Sequence, residues 1–120
     1  MAWRRKIPET DVARVQRWCD SKVPPNARHD VRIECHIRGT HVTLCEARPS
    51  WSADGGWMHR KFFQLRYFEE EREWGLYAYA WRTGRWHRYR RWPVYESGSM
   101  ARTLEEVDFN SERIFQPDRF

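Results

Sequence analysis

Between Leu76 and Trp92 the chain interleaves aromatic and arginine side chains in a pattern suited to work at a surface. Folded as a hairpin around Thr83-Gly84, the segment pairs Arg82 with Arg85, Trp81 with Trp86, Tyr79 with Arg88 and Tyr77 with Arg90. Side chains alternate faces along a strand, so one face carries Tyr77, Tyr79, Trp81, Trp86, Arg88, Arg90 and Trp92. The other carries Leu76, Ala78, Ala80, His87 and Tyr89, and its two alanines leave room for a helix, which assigns it to the core. Exposed rings beside guanidinium groups can hold single-stranded nucleic acid: each base stacks at about 1–3 kcal/mol while arginine neutralises phosphate. The same residues would equally lock a sheet through cross-strand pairs or close a homodimer, whose interfaces are rich in Trp, Tyr and Arg.

Three other groupings have chemistry worth testing. His87 stands with Tyr89 and near Arg82, a set that could cleave RNA without metal, His acting as acid or base and Arg holding the phosphate. The competing reading is a structural histidine. Glu46-x-Arg48, with Glu34 on a paired strand, resembles the Glu-x-Lys of metal-dependent nucleases. The expected register separates the two carboxylates onto opposite faces, so a buried network of Glu46, Arg48 and Arg66 is favoured. His36, His41 and Cys45 share the outward face of the first hairpin and are ligand types zinc accepts. They lack a fourth ligand and finger spacing, so no metal and no cofactor are expected.

The elements that must position these residues are legible from periodicity. Residues 7–24 read as a helix, with Thr10 as N-cap and Val12, Val15 and Cys19 on its apolar stripe; Pro24-Pro25 stops it. Residues 30–92 read as an antiparallel sheet. Its first hairpin turns at Gly39-Thr40 and buries Val31, Ile33, Cys35, Ile37, Val42 and Leu44, with Glu46 falling unexpectedly on that same face. A third strand spans 61–68, and Pro93 ends the second hairpin. Residues 93–120 supply a linker, a short helix capped by Thr103 with Glu105-Glu106 in its first turn, and a tail docked through Ile114 and Phe115. The expectation is one α+β domain over 1–120: an N-terminal helix on a mainly antiparallel sheet of about five strands, then a short C-terminal helix.

Composition narrows the class. The chain has 120 residues, 40% apolar and 16% aromatic, enough for one aromatic-rich core and against disorder. No stretch has the apolar length of a membrane span, and the basic start Met1–Lys6 has no apolar run behind it, so a cytoplasmic protein off the membrane is expected. The net charge of +5 is local: residues 60–92 hold nine basic and four acidic side chains, and the rest balances. Such a block attracts phosphate or an acidic protein surface. Cys19, Cys35 and Cys45 are odd in number. Cys35 faces Leu44 while Cys45 pairs with Glu34 on the other side of the sheet, so reduced thiols are expected rather than a bridge.

Several segments also resemble a bacterial family known only as domain of unknown function 3024. Thr43-Leu44-Cys45-Glu46-Ala47-Arg48-Pro49-Ser50-Trp51 resembles its V-T-I-x-E-x-R-P-x-W stretch, and Leu65-Arg66-Tyr67 its next strand. Arg82 with Arg85-Trp86-His87-Arg88-Tyr89 resembles its R-x-x-R-F-H-R-Y hairpin. Asp11-Val12-Ala13-Arg14, Trp18-Cys19, Val107-Asp108 and Ile114-Phe115 are similar as well. The chain departs at Gln116–Phe120 and in spacing over 74–81. The resemblance implies a small bacterial cytoplasmic protein without a settled activity. It supplies no catalytic residues, and makes the shared Glu, Arg, His and Tyr positions candidates for a polar network.

The functional expectation is a non-enzymatic binding module in which Tyr79, Trp81, Trp86, Arg88 and Arg90 meet nucleic acid, single strands before duplex, or an acidic protein. The alternatives are a small metal-free ribonuclease using His87, Tyr89 and Arg82, and a homodimer closed by the same face.

Overall fold

The computed structural model describes residues 6–51 and 55–110; the basic start up to Arg5 and the Ile114-Phe115 tail lie outside them. Helix α1 (Glu9–Lys22) is followed by strands β1 (Arg32–Arg38), β2 (His41–Pro49), β3 (Trp57–Phe68), β4 (Glu73–Ala80), β5 (Arg85–Tyr89) and the short β6 (Ser97–Gly98), then helix α2 (Met100–Phe109). The strands form one antiparallel sheet in the order β1-β2-β3-β4-β5. β6 pairs with the second and third residues of β4, Trp74 and Gly75. The fold is α+β, as the short connections require.

Both helices cover one face. Val12, Val15 and Cys19 of α1 and Met100, Leu104 and Val107 of α2 join Val42, Leu44, Phe63, Leu65, Trp74 and Leu76 in a single buried cluster. Asp11 accepts the indole N–H of Trp74 at 2.9 Å, tying α1 to β4. The helices meet where Asp108 accepts from Trp18 at 3.1 Å and pairs with Lys22. Helix α1 starts two residues earlier than a Thr10 cap would allow. Extended Pro8 is its N-cap, and its carbonyl takes the amides of Asp11 and Val12. Helix α2 likewise starts before Thr103: Ser99 is the cap, its hydroxyl accepting from the Arg102 amide at 3.1 Å. Thr103 is instead buried, bonded to the Tyr95 hydroxyl at 2.9 Å.

The first hairpin has the expected register, with Arg38 opposite His41, Cys35 opposite Leu44 and Glu34 opposite Cys45. All three cysteines are free. The second hairpin is slipped by two residues. Ala80 faces Arg85 across a four-residue connection, Trp81–Gly84, whose amides at Thr83 and Gly84 both bond the Ala80 carbonyl. Gly84 closes it at φ 68°, a conformation that favours glycine. Tyr79 therefore faces Trp86, not Arg88, and Tyr77 faces Arg88, not Arg90. A slip of two preserves alternation, so Leu76, Ala78, His87 and Tyr89 still share the helix-side face.

β3 begins at Trp57, four residues before the expected start, and carries a bulge. Leu44 pairs with Phe63 but Cys45 pairs with Lys61, leaving Phe62 as the extra residue. Beyond the bulge, Lys61 and His59 sit opposite Cys45 and Ala47, on the outer face. Alternation counted back from Phe63 and Leu65 would have put them inside.

Candidate functional site

The outer face of the sheet is a mosaic of cations over rings. The Arg66 guanidinium lies 3.9 Å from the Tyr77 ring centre, Arg32 lies 3.8 Å from that of Trp57, and the Lys61 ammonium 5.5 Å from that of Tyr79. Tyr79 and Trp86, directly cross-strand, meet at 4.9 Å between ring centres with their planes tilted by 60°. Each cation–ring contact contributes about 0.5–1 kcal/mol where water reaches it. The rings of Tyr77 and Tyr79 are thus half-buried and already engaged.

The β4–β5 turn differs. Trp81 is 70% exposed, with the Arg60 guanidinium 4.7 Å from its ring centre. Arg82, next in the chain, and Arg85, across from Ala80 on the helix-side face, are exposed and have no ion-pair partner among the described residues. Exposed ring and unneutralised cations therefore coincide at this tip.

Arg88 and Arg90, expected beside the rings as contact residues, are engaged within the fold. Arg88 donates to the Tyr77 hydroxyl at 3.5 Å and to the Glu96 carbonyl at 3.1 Å, and stands 5.0 Å from the Phe68 ring centre. Gly75 makes this possible: a Cβ there would fall 2.7 Å from the Phe68 ring and 3.2 Å from the Arg88 guanidinium carbon. Arg90 lies beyond the end of β5 and pairs with Glu96 at 3.2 Å. Both arginines fasten the segment between β5 and β6.

The buried polar network divides. Glu46 is buried and receives Arg48 Nε at 2.5 Å, on the helix-side face opposite Ile33. Arg66 takes no part in it. It lies on the outer face, where its Nε donates to Gln64 at 2.7 Å. Because Glu34 and Glu46 point to opposite faces, they cannot jointly hold a metal ion, and the nuclease-like pattern has no site.

A second carboxylate was missed from sequence. Glu106 of α2 is fully buried and takes the Tyr89 hydroxyl at 2.9 Å, Arg91 through two nitrogens at 2.5 and 3.1 Å, and Arg102 at 3.1 Å. The Arg91 hydrogen bond, chiefly, holds its carboxyl below the ordinary value against the opposing effect of burial. Burial raises the Tyr89 hydroxyl. Tyr89 is therefore committed to Glu106, and Asn110 also donates to it at 2.9 Å. His87 shares the face of Tyr89 but has no hydrogen-bond partner among the described residues, and Arg82 sits away at the turn. The three do not assemble an acid–base site.

The thiols are sheltered. Cys19 hydrogen-bonds to the Cys35 sulfur where α1 meets β1, raising Cys19 and lowering Cys35. Burial, helped by the charge of Glu34, pushes Cys45 up to about 11. Of the expected zinc-type residues, His41 is drawn off beside Arg66, and burial lowers its pKa. His36 instead meets Glu34 and His59.

Among known families, the one described as Domain of unknown function (DUF3024) matches residues 4–117. Neither a curated protein nor a solved structure matches the chain.

Proposed function

We propose that this chain, which belongs to the DUF3024 family, is a non-enzymatic module that binds single-stranded nucleic acid at the β4–β5 tip and the adjoining strip of outer face. The observation that carries this reading is the exposed ring of Trp81, with Arg60 over it and, at the ends of the same turn, the exposed Arg82 and Arg85, which have no ion-pair partner among the described residues. A base stacks on the open side of the indole while the two guanidinium groups meet its phosphates. Tyr79 and Trp86, on the outer face next to the turn, add a ring pair there, with Lys61 over Tyr79 supplying a further cation. Because their faces are already partly covered, most of the affinity resides at the tip. Arg88 and Arg90 serve binding only by holding the sheet edge in place. A non-enzymatic role accords with the commitment of Tyr89 to Glu106 and with an unoriented His87. We place the protein in the bacterial cytoplasm, in keeping with the family resemblance and with three unbridged cysteines.

Tryptophan fluorescence against single-stranded RNA, single-stranded DNA and duplex DNA across a salt series tests this. Single strands should quench strongly, and binding should fall steeply with salt. The double variant Arg82→Ala/Arg85→Ala should lower the slope of log K against log salt by about 1.4, some 0.7 for each lost single-strand phosphate contact, without a change in melting temperature. Trp81→Ala should remove most of the quench. Binding by wild type that is indifferent to both substitutions, or no response to any nucleic acid, overturns the proposal; in the second case an acidic protein or a second copy becomes the partner to seek.

A further inference from the structure

On the outer face, three side chains from two non-adjacent strands converge over the strand between them. Glu34 Oε1 lies 3.1 Å from His36 Nε2 and 3.0 Å from His59 Nε2, and all three ligand atoms fall within 4.8 Å of one another. Glu34 and His36 are two apart on β1 and so share a face; His59 comes from β3. Two features of the strands make the meeting possible. The bulge at Phe62 turns His59 outward, and the residue opposite it on β2 is Ala47, small enough for the ring to lean across toward β1. The two imidazoles stand edge to face at 5.8 Å between centres, so both nitrogens aim at the carboxylate without stacking on each other.

We propose that Glu34, His36 and His59 bind a divalent transition-metal ion, zinc by ligand type. Two imidazoles and one carboxylate are a set that zinc accepts with a fourth position left open. A tetrahedral ion with bonds of about 2.0–2.2 Å keeps its ligand atoms about 3.4 Å apart. The two short edges, 3.0 and 3.1 Å, need only a slight opening; the third, between the two imidazole nitrogens, closes by rotation of exposed rings. The ion takes the place of the hydrogens now shared between the imidazoles and Glu34, each ring then carrying its proton on Nδ1. Access is open: the histidine side chains are 56% and 43% exposed, Glu34 27%. A cleft of about 440 Å³ beside α1 is walled by Glu34 and His36. The nearby Lys61 is drawn toward Tyr79, which lessens its competition for Glu34. The open fourth position faces solvent and admits water or a single oxygen ligand. The site stands independently of nucleic-acid binding.

The competing donors are the thiols, since Cys19 and Cys35 line the same cleft. The full chain, stripped of metal with a chelator and kept reduced, is titrated with zinc by calorimetry and with cobalt by absorption. The expected result is about one equivalent bound, and tetrahedral cobalt bands without a thiolate charge-transfer band. His59→Ala and Glu34→Gln should each weaken binding about tenfold or more, the ligands mattering at least as much as outer-shell partners do. Cys19→Ser/Cys35→Ser should leave affinity unchanged. These are exposed or conservative changes, and circular dichroism confirms each variant folded. Absence of stoichiometric uptake, uptake unaltered in His59→Ala, or a thiolate band lost in the cysteine variant overturns the proposal.

Discussion

Two carboxylates on opposite sides of the sheet are each held by several donors, and they have opposite characters. Glu106, on the helix side, is fully buried among a phenol and two arginines. Glu34, on the outer side, is partly exposed and held by two imidazoles. Arginine stays charged at any ordinary pH, so near neutrality the Glu106 cluster keeps its ion pairs and acts as a fixed joint between β5, the segment after it and α2. An imidazole nitrogen can offer a lone pair in place of its hydrogen, so the Glu34 cluster can trade hydrogens for a cation. Partner chemistry, more than the number of hydrogen bonds, separates a joint from a site.

The largest test of this contrast is to remove each carboxylate in turn. Glu106→Ala leaves the Tyr89 hydroxyl short of an acceptor and two arginines facing an apolar layer. It should cost about 2–4 kcal/mol in chemical denaturation. Glu34→Ala should cost less than about 1 kcal/mol, because its partners turn to water. Equal losses at the two positions would erase the distinction. A smaller effect concerns acid. The Glu106 carboxyl is held below its unfolded value, so its stabilisation is present in full above that value, about 4.3, and is lost as pH falls through the lower folded value. In Glu106→Gln the fall in melting temperature across this acid range should be visibly shallower than in wild type. Smallest of the three, Tyr89→Phe removes one donor and leaves the arginines. It should cost about 0.5–1.5 kcal/mol, and an effect rivalling Glu106→Ala would mean the phenol, not the arginines, is the principal partner.

Reading the two sides from sequence met different obstacles. The first hairpin was fully legible. Gly39-Thr40 marks the turn, and alternation of Ile33, Cys35 and Ile37 fixes both the register and the separation of Cys35 from Cys45. The second hairpin was legible in its faces but not its register, because the turn is chosen by amides closing on the Ala80 carbonyl, a choice composition does not betray. Glu106 was obscured by a misplaced cap. With Thr103 as N-cap it falls in a solvated first turn; with Ser99 it joins the stripe of Met100, Thr103, Leu104 and Val107. Ser99 just ahead of Met100, Leu104 and Val107, at helical spacing, was the available signal. His59 was beyond sequence reasoning, since no pattern announces that β3 starts at Trp57 or that Phe62 interrupts its alternation. Of the expected contact residues, Tyr79, Trp86 and Arg88 lie on the outer face and Trp81 in the turn beside it, whereas Arg88 and Arg90 are engaged with Glu96.

The extra residue at Phe62 has a consequence for how such a chain can change over generations. On one side of it β3 is bound by the core, where Phe63 and Leu65 are nearly sealed from water. On the other side the same strand is displayed, and its residues answer to whatever approaches the surface. The interruption works as a phase boundary, so substitutions at His59 or Lys61 can retune the display without disturbing the packing. A single-codon deletion at Phe62 would do the reverse: it would leave the core half in place and exchange, in one step, every side chain the other half shows to the world.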